Sequence, residues 1–242
     1  MSLIAQTHKP LYSPLVNVKS VPIKHISIGK VKPLIKLLAA KGIPPIQLMN
    51  GTGIQLSELA IFNTKITHDQ YFKLIDNACQ LAPSETFSLH LGEQFYINHD
   101  GILACRIMSC KNAFQAMSLL TEYQSLLTQL FHLNFQEDDS FGVFTAIPSM
   151  DTQHSLPYFI EYIFASIYSF GKFCTGSPTF PLRYEFTYDC GNKRAFYEHF
   201  FGSNIHFNCE QNRVLIPTDI LNLPFIFESK KNALENDKFC QD

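Results

Sequence analysis

Tryptophan is absent from this 242-residue chain, and charged residues make up only 17% of it. No apolar run reaches the roughly 18 residues of a membrane-spanning helix. Residues 158–170 come nearest, and Glu161 interrupts them. The N-terminus lacks an apolar stretch followed by a small-residue cleavage site, so no secretory signal is expected. There is no Cys-x-x-Cys pair and no His-x-x-x-His pair, which removes the common signatures of a zinc site or a thioredoxin-type redox site. The nucleophile elbow G-x-S-x-G, the phosphate-binding P-loop and the dinucleotide fingerprint G-x-G-x-x-G are missing too. Neither a cofactor nor a resident metal is expected, and the chain does not read as an enzyme. Acidic residues are missing from residues 1–57, which carry seven lysines, yet these are scattered and the net charge is only −2. A nucleic-acid binder acting through bulk charge is therefore not expected.

What is present is apolar and ring-rich: 46% hydrophobic residues, with 22 phenylalanines. Such a chain can bury a large core, and disorder is confined to its ends. The seven cysteines are odd in number and several lie in apolar stretches, where a thiol acts as a small hydrophobe. A reducing cytoplasm suits them.

The organising stretch is 109–147. Ser109 reads as an N-cap, and Phe114, Met117, Leu120, Tyr123 and Leu127 recur at helical steps behind it. Phe131, Leu133 and Phe135 then alternate with polar residues, a four-residue polar turn follows, and 141–147 returns as a second strand ending at Pro148. Upstream, residues 1–29 read as an arm with one short strand near Ile26 and Ile28. Helices are expected over 30–40, closed by Gly42, and over 45–48. Residues 54–61 form a weaker amphipathic piece, and 86–94 are ambiguous. Thr67 and Gln70 form a capping box for a helix over 68–81. Downstream, a nearly all-apolar helix runs over 155–173 and is therefore buried on several sides. A strand over 182–188, a short helix over 192–201, strands over 205–207 and 214–216 and a packed segment over 219–227 follow. The polar tail 229–242 reads as a linker. The fold class is α+β: N-terminal helices, then a mostly antiparallel sheet packed by long helices.

Five phrases, GIPPIQL (42–48), FSLHLGE (87–93), GILACRIMSCKNAFQAMSLLTEYQSLL (101–127), FYEHFFGSNIHFN (196–208) and NRVLIPTDILNLP (212–224), together with the Glu161 helix, stand in an order that resembles one family. It is the N-terminal, arabinose-binding-type effector domain of AraC transcription regulators, and the resemblance covers about 30–224. It implies a regulatory domain over 30–228 that senses a small-molecule effector. In that family a pair of helix-turn-helix motifs follows this domain. No such pair follows Pro224 in this sequence, so DNA is expected as a partner only through a domain outside it. A homodimer is compatible with this reading, and so is a ligand-free module that dimerises and controls a partner protein. No sugar-site signature names the effector.

Glu161 is the lone charge between Tyr158 and Phe170 of the ring-rich helix, where a buried carboxylate needs a partner. It reads either as a structural pair to Arg106 or Tyr123, or as the polar anchor of an effector pocket. Arg106, Tyr123 and His132 lie near the ends of the organising helix. Phe164 on the apolar helix and Tyr184 on the facing strand complete the set of candidate effector-binding residues.

Overall fold

The computed structural model describes residues 26–61, 64–82, 86–94, 101–138 and 140–228. The arm before Ile26, the tail after Glu228 and the helix stop at Pro83 and Ser84 lie outside them. At the start, β1 (Ile26–Ser27) pairs antiparallel with β2 (Lys65–Ile66), a partner strand too short to show in the sequence pattern. Between them lie α1 (Lys32–Ala40), α2 (Pro45–Leu48) and a 3-10 turn over Leu56–Ala60. The helix α3 (His68–Leu81) opens with the expected capping box. Thr67 Oγ1 accepts from the Gln70 amide at 3.1 Å, and Gln70 Oε1 accepts from the Thr67 amide at 3.0 Å. Asn77 on its buried face donates to the carbonyls of Leu48 and Asn50 at 2.8 and 2.7 Å, which fastens α2 to α3. The ambiguous stretch resolves as α4 (Phe87–Glu93), and Gly101–Met108 forms α5.

The organising helix differs from expectation in two places. Because α5 fills the run up to Met108, Ser109 stands at a helix end, and its hydroxyl donates back to the Cys105 carbonyl at 2.9 Å. Asn112 is the N-cap instead, accepting from the Gln115 amide at 3.0 Å and opening α6 (Ala113–Glu122). The helix then breaks at Tyr123, and a single turn, α7 (Gln124–Leu127), follows. The break lets Gln124 Oε1 accept from the backbone amide of Leu133 at 2.6 Å, covering part of a sheet edge that would otherwise be open.

The hairpin is antiparallel as expected. β3 (Phe131–Glu137) pairs with β4 (Phe141–Pro148) in a register running from Phe131 opposite Pro148 to Glu137 opposite Gly142. Asp138 Oδ1 closes the turn by accepting from the amides of Ser140 and Phe141, each at 2.8 Å. The sheet is completed by β5 (Arg183–Glu185), β6 (Ile205–His206) and β7 (Arg213–Pro217), in the order β3-β4-β7-β5-β6. All pairs are antiparallel except β5 with β6. β5 is shorter than its alternating sequence suggested, because the Thr187 amide leaves the ladder and donates to the side chain of Asn212 at 2.9 Å. The short helices α9 (Arg194–Phe201) and α10 (Thr218–Leu221) flank β6 and β7.

Across this sheet lies α8 (Leu156–Thr175), with Pro157 in its first turn and Gly176 ending it in the left-handed conformation at φ 70°. Phe164 is buried against the rings of Tyr184 and Phe186, with centroids 6.1 and 5.5 Å away. On another side α8 packs closely on α4. At Gly92 the two backbones come so near that an added Cβ would lie 2.6 Å from the Tyr162 carbonyl oxygen. The protein is α+β, with a mostly antiparallel sheet packed by helices. Among the described residues no helix is long and apolar enough to cross a membrane.

Candidate functional site

A third side of α8 faces a cavity of about 440 Å³. That volume falls within the roughly 300–1,000 Å³ of small-molecule sites. Tyr158, Phe159, Tyr162, Ile163, Ser166, Ile167 and Phe170 form its long wall. Ala104 and Ile107 of α5 and Met117 and Leu120 of α6 face them, and Phe131, Leu133 and Phe144 of the hairpin form the floor. Ile26, Ser27, Lys30 and Pro33, His68 and Tyr71 of α3, Leu91 and Gln94, and the segment 125–130 close the remainder.

The helical period explains this lining. Positions 158, 162 and 166 stack on one side of α8, next to 159, 163, 167 and 170, while 161, 164 and 165 point elsewhere. The rings brace one another: Phe159 lies 5.6 Å from Tyr71 and 5.8 Å from Phe131, and Tyr158 stacks on Tyr162 at 6.4 Å. Burial pushes the Tyr71 hydroxyl up to about 12 against a hydrogen bond with Tyr158, and raises Tyr158 well above the usual phenol range. Both are neutral hydrogen-bonding groups at physiological pH. The Ser166 hydroxyl donates to the Tyr162 carbonyl at 2.6 Å, which leaves its oxygen lone pairs as acceptors. At the other end, Lys30 Nζ donates to the Leu127 carbonyl, tying the segment after β1 to the end of α7. Among the described residues the lining contains no aspartate or glutamate.

The residues singled out from sequence lie elsewhere. Glu161 is buried and accepts from the hydroxyls of Ser88 on α4 and Tyr197 on α9; these, rather than Arg106 or Tyr123, are its hydrogen-bond partners. Burial raises its pKa above the ordinary carboxylate range, opposed by those two hydrogen bonds and the charge of Lys193. Arg106 is buried on α5 with Nη1 3.7 Å from Cys110 Sγ, in a separate small apolar cluster that Tyr123 also packs against. His132 is exposed on β3, paired with Ile147. Phe164 and Tyr184 do come together, but in the core between α8 and the sheet. None of these residues is part of the cavity lining. The lining residues that sequence reasoning missed include Lys30, His68, Tyr71, Tyr162 and Ser166. One signal was available for two of them: Tyr162 and Ser166 form a polar i, i+4 pair on a mostly apolar helix.

A mixed shell closed around an apolar cavity with a few polar groups is the build of a small-molecule-binding domain. The family profile described as the arabinose-binding domain of AraC transcription regulators, N-terminal, matches residues 42–225, and the chain belongs to that family. It is thus a regulatory, effector-binding type of domain. Among solved structures, the transcriptional regulator CdpR from Pseudomonas aeruginosa is similar, with a TM-score of 0.62 and 14% identity over 86% of this chain. The match spans only 60% of that regulator's length, and at this identity it shows a shared fold. No curated protein matches the chain.

Proposed function

We propose that this chain is the ligand-sensing part of an AraC-type transcription regulator. A small, largely apolar effector occupies the cavity against α8, and its presence is passed to a DNA-binding region outside these 242 residues. In this reading residues 30–228 form the regulatory unit, 1–29 an arm and 229–242 a linker. The protein works in the cytoplasm, as a sensor and not a catalyst. The observation that carries the proposal is the cavity itself. Its walls come from α3, α4, α5, α6, α8 and the hairpin, so an occupant can bridge elements far apart in the chain.

Thermal unfolding in the presence of a metabolite panel tests this. A ligand present at 100 times its Kd adds about 2.7 kcal/mol to stability. The hits should disappear in Ile163→Trp, which fills the cavity from α8. A panel without hits, or hits that survive Ile163→Trp undiminished, would refute the cavity as the effector site and favour the ligand-free dimerisation module. Sequence-specific DNA binding in a gel shift by these residues alone would refute the division of labour.

A further inference from the structure

The described lining of the cavity combines one cationic side chain with many apolar ones. Among the described residues Lys30 is the only one in the lining with a fixed charge, and none of the described lining residues is a carboxylate. The visible partner of Lys30 is the neutral carbonyl of Leu127, which engages one of the three donors an ammonium carries. Ser27, His68, Thr128 and Gln129 also line the cavity, Ser27 three residues before Lys30 and Thr128 and Gln129 directly after Leu127 in the chain. Ile107, Met117, Leu120, Ile163, Ile167 and Phe170 supply apolar walls.

We infer that the cavity takes a singly charged organic anion, an alkyl or aryl-alkyl carboxylate, with its headgroup at Lys30 and its tail along α8. This rests on the reading of the cavity as an effector site. Lys30 is exposed, so the headgroup keeps much of its hydration while the tail is desolvated, and the cost of burying an ion is avoided. A cationic ligand would find no counter-charge among the described lining residues. A sugar would bring several hydroxyls against isoleucine, leucine and phenylalanine, where they would lose hydrogen bonds to water without replacement. Taking the roughly 30 Å³ of one liquid water as a unit, 440 Å³ holds on the order of 15 non-hydrogen atoms. A ten-carbon carboxylate fits that space.

The test is calorimetric titration of the full chain with octanoate, decanoate, decanol and decylammonium, all below their micelle concentrations. It is repeated on Lys30→Met and Lys30→Arg. Each added methylene should tighten binding about fourfold, so decanoate should exceed octanoate by about 15-fold. Decanoate should also exceed decanol by about tenfold or more at low salt, as expected for a charge-assisted hydrogen bond. Lys30→Met should erase that gap without weakening decanol, which also shows that the variant is folded, and Lys30→Arg should restore it. Equal binding of decanoate, decanol and decylammonium, or indifference of decanoate to Lys30→Met, would overturn anion selection and leave the effector cavity standing. The same holds if none of these amphiphiles binds while another panel metabolite does. If neither they nor any panel compound binds, both readings fall.

Discussion

Replacing Gly92 by alanine adds one methyl group where α4 crosses α8. That methyl would sit 2.6 Å from the Cβ of Ala165, 2.6 Å from the carbonyl oxygen of Tyr162 and 3.0 Å from the amide nitrogen of Ser166. None of these atoms can rotate away, since two are backbone and the third is the first atom of its side chain. The helices would have to separate. In an isolated helix the substitution would help, because alanine is favoured over glycine by about 1 kcal/mol. Overpacking a tight contact costs about 1–3 kcal/mol or more, and three immovable contacts place this site at the upper end. The net expectation is a loss of about 2 kcal/mol. For a domain of this length that corresponds to a melting temperature lower by about 4–8 °C. The separation also moves Tyr162 and Ser166, which line the cavity, so ligand affinity should fall as well. Thermal and urea unfolding of Gly92→Ala beside the parent decides the matter. An unchanged or raised midpoint would show that α4 and α8 are not in the contact described, and the placement of the cavity wall would fall with it.

Phe164→Ala removes a fully buried ring between α8 and the sheet and should cost roughly 3–5 kcal/mol by chemical denaturation; a midpoint near the parent's would show that α8 is not central. Tyr184→Phe should be neutral or stabilise by up to about 1 kcal/mol, since the Tyr184 hydroxyl is buried with no hydrogen-bond partner among the described residues. A loss above 1 kcal/mol would reveal a partner for that hydroxyl. Glu161→Gln should lower stability while leaving affinity for a cavity ligand unchanged, because the carboxylate faces Ser88 and Tyr197 and not the cavity. It should also alter the pH profile. A carboxyl whose folded-state pKa is raised favours folding below its ordinary value, and that contribution is lost as pH rises through the raised value. Parent stability should thus decline just above the ordinary carboxylate range, and Glu161→Gln should flatten the decline; identical pH slopes would contradict it.

Local chemistry was readable from sequence wherever a few neighbouring residues decide it. The Thr67–Gln70 capping box, the Gly176 stop and the hairpin with its polar turn all depend on contacts within a few positions. Ser109 misled because a cap is defined by which side of it the helix lies on, and α5 already occupied the N-terminal side. The candidate site was hardest to read. The bond from Lys30 to the Leu127 carbonyl joins positions 97 apart in the chain, and no periodicity reports such a meeting. Glu161 drew attention as the lone acid on a mostly apolar helix, yet its period places it away from the cavity, where two hydroxyls satisfy it. Its chemical oddity marked a buried fastening between helices; the cavity is marked by the unremarkable Tyr162 and Ser166 one face away.

The strand order also governs when the protein can complete itself. β7 lies between β4 and β5 but follows both in the chain, with α8, α9 and β6 intervening after β4. A nascent chain can zip β3 onto β4 early, yet the second edge of β4 then waits for Arg213–Pro217 to be synthesised. At roughly 5–20 residues per second that wait is on the order of several seconds. During it a hydrophobic strand edge and the rings of α8 lack their final covering. Fragments ending before Arg213 therefore leave the hairpin and the β5–β6 pair as two unjoined pieces, and expression truncations on that side of β7 should aggregate where those extending past it should not.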